Sequence, residues 1–245
     1  MKRTDLHPII YPIGISNSDR QFIRRVVNSV RDFINANHIR SILIGCSGGH
    51  DSVCLADICH KVQTINGGHF ILSYVNHQLR PDENEKEKQL ISNLGDKYNF
   101  PQLYLDAPLD KSIVSNIEAE ARKKRYQILA DNLECLDPYE GILLAHHRDD
   151  DFETIIMRLI DNKYMRIENK QSFQRVVYGM KQISCVYGCM IYRPLLGFRK
   201  IDLQRYSAIN KLVWLEDSSN ESDRFKRNQI RHHVIPILKK INKGF

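Results

Sequence analysis

The chain alternates short apolar segments with longer amphipathic ones, and this alternation constrains its fold more than any other feature. Strands are predicted at 41–46, 69–75, 102–105, 141–145 and 190–192, and helices at 21–37, 51–63, 83–99, 116–133, 150–161 and 199–210. Such alternation is typical of parallel strands joined by right-handed crossovers. The strands are nearly pure apolar runs, which indicates a sheet covered on both faces. The sequence therefore predicts an α/β fold with a doubly wound, mostly parallel sheet.

Membrane and secretory classes are disfavoured by the distribution of apolar residues. No stretch approaches the roughly 18 uninterrupted apolar residues of a membrane span, and the charged N-terminus lacks an apolar signal core. The six cysteines contain no Cys-x-x-Cys pair and fit a reducing compartment, with structural roles favoured over metal or redox roles. We therefore expect a cytoplasmic protein with no membrane partner.

Charge is distributed unevenly along the 245 residues. Residues 1–157 hold 18 Lys and Arg against 22 Asp and Glu, whereas residues 158–245 hold 18 against 7. A basic half suggests that one end of the molecule meets a polyanion. A solvated lysine-rich surface explains the same counts, and charge alone does not separate the two readings.

The loop after the first predicted strand has the composition of a phosphate site. It reads Ser47-Gly48-Gly49-His50-Asp51-Ser52 and opens a helix. Two glycines let the backbone turn tightly, and the free amides of a helix start favour phosphate. Asp51 would repel bare phosphate, but it is suited to a Mg²⁺ ion between the two anions. No Gly-Lys-Ser/Thr follows, so this is not a Walker loop. The alternative is a Gly-Gly turn without a ligand, and phosphate binding is favoured.

The loop after the fourth predicted strand concentrates groups that bind metals or move protons. Two histidines and four carboxylates fall within residues 146–153. Because ligands of open α/β sheets bind at the carboxyl ends of strands, this loop and residues 47–52 are expected to share one site. Asp150 and Glu153 lie three residues apart on the starting helix, so they can meet one ligand. A dinuclear metal-hydrolase site and an acid-rich capping turn are the alternatives.

Two weaker signals lie between these loops. His77 and Arg80 follow the second strand and suit phosphate or substrate, although solvated surface residues would look the same. Arg122 and Arg125 lie on neighbouring turns of the helix at 116–133, where a salt-bridged surface is the alternative.

Together these segments resemble tRNA(Ile)-lysidine synthetase, a member of the ATP-pyrophosphatase superfamily, over residues 41–238. The resemblance is carried by the order and spacing of several pieces, which are Ser47–Ser52, Val75–His77 with Leu79–Pro81, Asn116–Tyr126, Ala145–Thr154, Arg193–Leu196, Trp214 with Asp217–Asn220, and Arg227-Asn228 with Arg231. It implies a Rossmann-like, adenine nucleotide alpha hydrolase-like fold. Residues 1–20, which carry Pro8, Pro12 and Gly14, are predicted to be a loose leader. A catalytic domain is expected at 21–212, followed by a short basic segment at 213–245 that closes the active site.

The resemblance further implies a reaction and its site residues. The family attaches L-lysine to C2 of the wobble cytidine of tRNA(Ile) with a CAU anticodon, using ATP and Mg²⁺ and releasing AMP and pyrophosphate. Residues Ser47, Gly48, Gly49, His50, Asp51 and Ser52 would bind ATP, with Asp51 also holding Mg²⁺ through the phosphates. The reacting centre would contain Asp51, Arg122, His146, Asp150 and, beside it, Glu153. Substrate and tRNA contacts would come from His77, Arg80, Arg125, Arg193, Arg227 and Arg231. For the oligomeric state, a monomer and a homodimer are both compatible with the sequence.

The chain departs from the family in three places and is short. Asp151 stands where glutamine is usual, Gln78 replaces a glycine, and residues 161–178 replace a Gly-rich run, with only Gly179-Met180 recognisable. Little follows Arg231, where family members usually continue into tRNA-binding domains. These departures motivate a degenerate RNA-binding module as one alternative. A tRNA thiolase of the same superfamily is the other, although the paired Cys-x-x-Cys ligands of its iron–sulfur cluster are absent from this sequence.

Overall fold

The described residues are 9–78, 81–109, 117–135, 139–163, 165–169, 172–216, 222–223 and 225–241. In the computed structural model they form eight strands, which are β1 (Ser41–Gly45), β2 (His69–Asn76), β3 (Gln102–Asp106), β4 (Ile142–Leu143), β5 (Met165–Asn169), β6 (Ser172–Val176), β7 (Ile183–Val186) and β8 (Cys189–Tyr192). The helices are α1 (Asn17–Ala36), α2 (His50–Asn66), α3 (Pro81–Tyr98), α4 (Ile117–Cys135), α5 (Arg148–Ile160), α6 (Lys200–Asn210), α7 (Lys226–Gln229) and α8 (Ile235–Ile241). A π-helical stretch, Ile230–Val234, joins α7 to α8.

Six strands form one sheet in the order β3-β2-β1-β4-β8-β7. All neighbours pair in parallel except β7, which is antiparallel to β8. The chain winds outward from β1 in both directions, so β1 and β4 flank the point where the strand order reverses. Ligands of such sheets bind at the carboxyl ends of these two strands. The predicted doubly wound, mostly parallel fold is confirmed.

Both faces of the sheet are covered, and the side chains of β1 show how. Ile42 and Ile44 pack into one core cluster with α1, α2 and α6, whereas Leu43 packs into a second cluster with Tyr126 and Leu129 of α4. Alternate residues of a strand point to opposite faces, so an uninterrupted apolar run fills two cores at once.

Several elements differ from the sequence prediction. Helix α1 begins at Asn17 rather than 21, because the Ser16 hydroxyl caps it by accepting from the Asp19 amide at 3.1 Å. Ile9, Tyr11 and Ile15 of the predicted loose leader pack against the core. Strands β5, β6 and β7 were not predicted, and the first two form an antiparallel hairpin within the region that departs from the family.

The C-terminal segment is held on α5. Ile156 of α5 packs with Ile230 and Ile235 in a small apolar cluster. This packing brings residues 225–231 over the carboxyl edge of the sheet. Within the described ranges, no helix is long and apolar enough to cross a membrane.

Candidate active site

A cleft of about 480 Å³ opens where β1 and β4 end. Its volume lies in the range of small-molecule sites. The walls come from the β1–α2 loop, the β4–α5 loop, α4, the start of α6 and the C-terminal segment. It brings together the predicted residues Ser47, Gly49, His50, Asp51, Ser52, Arg125, His146, Asp150, Arg227 and Arg231.

The β1–α2 loop is shaped as a phosphate cradle. Gly48 has a φ of +81°, a conformation that glycine adopts without steric cost. Gly49 caps α2 with extended backbone and no side-chain cap, so the first amides of the helix stay available. Ser52 Oγ donates to the Gly49 carbonyl at 2.8 Å, and the Ser47 amide donates to Ser52 Oγ at 3.3 Å. These bonds fix a positive helix end against the cleft.

Asp51, in the first turn of α2, is surrounded by basic groups. Its Oδ1 accepts from Lys200 Nζ at 2.6 Å and lies 2.9 Å from His50 Nδ1, and its Oδ2 lies 3.4 Å from His147 Nε2. Burial alone would raise the pKa of Asp51. The hydrogen bonds from His147 and His50, with the Lys200 charge, outweigh burial and hold it well below its ordinary value. Asp51 is therefore a carboxylate at neutral pH.

His147 begins α5 and links the two loops. In the neutral ring Nδ1 accepts from the Asp150 amide at a long 3.4 Å, while Asp150 Oδ2 accepts from the His147 amide at 2.9 Å, which completes a capping box. Burial favours the neutral ring. The hydrogen bond to Asp51 and the Asp150 and Asp51 charges prevail, so the pKa of His147 is raised above its ordinary 6.5.

This shift predicts a pH dependence. The folded chain keeps a proton on His147 that the unfolded chain releases near pH 6.5, so this stabilisation is complete below that pH and is lost as pH rises through the raised pKa. His147→Asn keeps a capping side chain but cannot titrate. Urea unfolding at several pH values should show wild type losing stability relative to the variant as pH rises above about 6.5. A constant difference between the two would contradict the assignment.

Each carboxylate of the acid-rich loop has its own protein partner. Asp149 Oδ2 accepts from the Lys200 amide at 2.7 Å, and Asp150 Oδ1 accepts from Arg227 at 2.9 Å. Asp151 accepts from the Met180 amide. In the part of the chain that the structure describes, no group of three or more His, Cys, Asp or Glu is arranged to hold a metal ion. The contacts of Asp149 and Asp151 attach this loop to the start of α6 and to the segment around Met180.

Glu153 lies beneath the cleft and does not line it. It is 1% exposed, and its two oxygens accept from Arg227 Nε at 2.5 Å and from Arg231 Nε at 2.7 Å. Asp150 and Glu153 thus do meet one shared partner, the guanidinium of Arg227. The structure gives Glu153 the role of fixing two arginines at the cleft wall.

His146 faces the cleft as a neutral imidazole. Burial lowers its pKa well below the ordinary value, and the charges of Arg193, Arg122, Arg227 and Arg125 lower it further. Nδ1 is buried, and no hydrogen-bond partner within the described residues reaches it. A buried nitrogen without a partner is costly. The His146 ring can therefore accept or donate a proton in a strongly positive environment.

Other predicted residues lie around the cleft. Arg122 does not line the cleft. Its guanidinium carbon lies 5.1 Å from the centroid of the Tyr126 ring, and its charge lowers the pKa of His146. His77 lies 3.5 Å from Arg125, which does line it. Arg193 is 4% exposed and donates to the Lys181 carbonyl and Ser184 hydroxyl, so it reaches His146 only through its charge. Gly48 does not line the cleft, and Arg80 falls outside the described residues.

Two departures from the family have visible structural consequences. Asp151 and Arg158, both on α5, bind the turn that follows the β5–β6 hairpin. Arg158 Nη1 donates to the Tyr178 and Gly179 carbonyls at 2.6 and 2.8 Å, and Asp151 accepts from the Met180 amide. A Cβ at Gly179 would lie 2.2 Å from Asp151 Oδ1, so any larger residue there would require the Asp151 carboxylate to move. Residues 178–180 are therefore fixed at the base of the altered segment.

Gln78 adopts a backbone conformation that glycine reaches at lower cost. Its φ is +55°, a left-handed conformation that costs a side-chain-bearing residue roughly 1 kcal/mol. The Gln78 amide donates to Asn76 Oδ1 at 2.8 Å, which helps to hold this turn.

Sequence reasoning missed Lys200 and the capping role of His147. Lys200 enters the cleft because α6 starts beside the β4–α5 loop, a proximity set by the sheet. The only local signal was a basic residue at a predicted helix start. Trp214 packs edge-on against His50 with ring centroids 4.7 Å apart, so the C-terminal segment also touches the phosphate loop.

The loop between β1 and α2 has the backbone shape of a phosphate site and lies where the strand order of the sheet reverses. These two features define the class of nucleotide-binding α/β domains that bind phosphate with a strand-to-helix loop. The family model described as a PP-loop domain matches residues 19–238, and the chain belongs to that ATP-binding family.

Two curated relatives from different organisms have the same name. The chain is 32% identical over 204 residues to the tRNA(Ile)-lysidine synthase of Haemophilus influenzae, covering 82% of this chain and 44% of that protein. It is 28% identical over 228 residues to that of Petrotoga mobilis, covering 91% of this chain and 68% of that one. The sequence resemblance is confirmed. The chain spans less than half the length of the Haemophilus influenzae relative.

A solved structure confirms the fold. The U34-tRNA thiolase of Methanococcus maripaludis, solved with its [4Fe-4S] cluster, superposes with a TM-score of 0.68 at 15% identity. The match covers 91% of this chain and 74% of that one. At this identity the likeness concerns the fold alone.

Proposed function

We propose that this chain ligates L-lysine to C2 of the wobble cytidine of tRNA(Ile) with a CAU anticodon, through an adenylated cytidine. The observation that carries the proposal is the cleft itself, in which the β1–α2 phosphate loop faces the neutral His146. The similarity to tRNA(Ile)-lysidine synthases supports the choice of substrates.

The first step activates the base. Cytidine O2 attacks the α-phosphorus of ATP, a new O2–P bond forms, and the bond to the β-phosphate oxygen breaks to release pyrophosphate. The amides at the start of α2, with Ser47 and Ser52, are placed to hold the phosphates. Arg227 lines the cleft and is held rigidly by Glu153 and Asp150, so it is placed to stabilise the charge on the phosphorus.

The second step transfers lysine. Its ε-amine attacks C2, the C2–O2 bond breaks, and AMP leaves with O2. The amine must be neutral to attack and must lose a proton afterwards. His146 suits the binding of the neutral amine, because it lines the cleft and its uncharged ring can accept a hydrogen bond from that amine. Asp150 suits it less, since its two oxygens already accept from Arg227 and His147.

Mg²⁺ fits the residues around Asp51. This carboxylate is ionised, lines the cleft at the phosphate-binding helix end and already has a cation, Lys200, against Oδ1. Asp51 would hold the ion between its carboxylate and the phosphates, and the ion would neutralise the charge of the departing pyrophosphate. Ser47 and Ser52 supply hydroxyls beside it.

The basic surface suits a tRNA partner. Arg125, Lys200, Arg227 and Arg231 line the cleft, and the last three come from the basic part of the chain after residue 158. Contacts of this kind neutralise phosphates and weaken as salt rises.

Nucleotide products test the proposal. With ATP, Mg²⁺, lysine and tRNA(Ile) bearing CAU, we expect AMP and pyrophosphate in equal amounts, and neither product without the tRNA. ADP and phosphate as products would contradict cleavage between the α and β phosphates. A thiolase would instead require a sulfur donor, and an iron–sulfur chromophore in anaerobically purified protein would favour it. A degenerate RNA-binding module would form no AMP.

A further inference from the structure

Lys200 places a flexible cation against the phosphate loop. It is the first residue of α6, and its Nζ lies 2.6 Å from Asp51 Oδ1 and 3.3 Å from His50 Nδ1. Its side chain is 37% exposed and lines the cleft. The ammonium is therefore both paired and accessible to a ligand in the cleft.

The backbone of Lys200 is fixed while its ammonium lies at the end of a long stem. The Lys200 amide donates to Asp149 Oδ2 at 2.7 Å, and the Arg148 amide donates to the Phe198 carbonyl at 2.8 Å. These two bonds attach the start of α6 to the β4–α5 loop. The flexible four-carbon stem of the side chain lets the ammonium move by several ångströms while the helix stays in place.

Asp51 has two oxygens, and both already face basic groups. Oδ1 accepts from Lys200, and Oδ2 lies 3.4 Å from His147 Nε2. A divalent cation bound to Asp51 must compete with the ammonium for Oδ1, since two cations that close repel. An ammonium released in this cleft has the ATP phosphates as its natural acceptor.

We propose that Lys200 is a phosphate-binding residue whose ammonium is exchanged between Asp51 and the β- and γ-phosphates of ATP. The divalent cation displaces the Lys200 ammonium from Asp51. The ammonium then binds the two phosphates of ATP that leave as pyrophosphate. The inference rests on the proposed function only in taking the nucleotide to be ATP cleaved between its α and β phosphates.

If the ammonium exchanges in this way, Lys200→Met should change the affinities for the metal ion and for pyrophosphate in opposite directions. Methionine keeps much of the stem but has no charge, so Asp51 loses its competing cation. Mn²⁺ alone should bind the variant about tenfold more tightly, while pyrophosphate with Mg²⁺ should bind about tenfold more weakly, which is the loss of one charged hydrogen bond. A purely structural role would weaken both.

The experiment needs only the purified chain. Mn²⁺ binding is measured by electron paramagnetic resonance, and pyrophosphate binding by titration calorimetry with Mg²⁺ present. The variants are Lys200→Met, Lys200→Gln and Lys200→Arg, with Lys86→Met as the matched control, since Lys86 is exposed on α3 and does not line the cleft. Lys200→Arg should retain pyrophosphate binding, and the control should bind both ligands as wild type does. Lys200→Gln replaces Lys200→Met if the latter does not fold.

Two results would overturn the inference. One is unchanged binding of both ligands in the uncharged variants, and the other is a loss of both. Neither measurement involves tRNA or lysine, so the exchange can be confirmed even if lysine transfer fails. Conversely, lysine transfer with unchanged binding in Lys200→Met would leave the proposed function standing and remove the role of Lys200.

Discussion

Asp51→Asn is expected to lower ATP-dependent AMP formation by about 10²–10³-fold while the chain stays folded. Asparagine keeps the size of the side chain but removes the charge that pairs with Lys200 and His147. Because the Asp51 side chain is 29% exposed, losing its ion pairs should cost less stability than breaking a buried pair. The measurement is the rate of AMP release, with circular dichroism and thermal melting to check the fold.

Asp96→Asn is the matched control for this variant. Asp96 is exposed on α3 and does not line the cleft, so its rate should equal that of wild type. Full activity in Asp51→Asn would remove Asp51 from the site. Lost activity together with lost secondary structure would give Asp51 a structural role instead.

Glu153→Ala is expected to destabilise the chain by about 3 kcal/mol, the lower end of the cost of removing one partner from a buried ion pair. Glu153 is 1% exposed, and its loss leaves the partly buried guanidiniums of Arg227 and Arg231 with Asp150 as their remaining carboxylate partner. The lower end applies because the two arginine side chains are 24% and 38% exposed. Urea unfolding measures the effect.

Asp161→Ala serves as the control for Glu153→Ala. Asp161 pairs with Lys226 at the surface, and exposed pairs contribute little. Its unfolding midpoint should match that of wild type. A Glu153→Ala variant as stable as wild type would mean that the two arginines are held by other groups.

The sheet and the two loops could be predicted because they depend on local pattern. The apolar run of β1 and the glycines after it specify a strand, a turn and a helix start within a dozen residues. Parallel strands then bring the loops after β1 and β4 to one edge whatever the details of packing. The cleft residues Ser47, Gly49–Ser52, His146 and Asp150 were predicted in this way.

Roles that depend on tertiary contacts could not be read from the sequence. Glu153 and Arg193 look like surface or site residues by spacing, yet the structure buries both and pairs Glu153 with two arginines more than 70 positions away. Lys200 reaches Asp51 from about 150 positions away. The β5–β6 hairpin lies where the chain departs from its relatives, so neither pattern nor resemblance indicated it.

The most direct test of the proposed function follows the amino acid into the RNA. The chain is incubated with ATP, Mg²⁺, isotopically labelled lysine and tRNA(Ile) bearing CAU, with tRNA(Met) as the matched control, and the nucleosides are analysed by mass spectrometry. We predict label in one modified cytidine, at the wobble position of tRNA(Ile), with the mass of cytidine joined to lysine with loss of water. Unlabelled tRNA(Ile) from a folded chain that binds ATP would contradict the account.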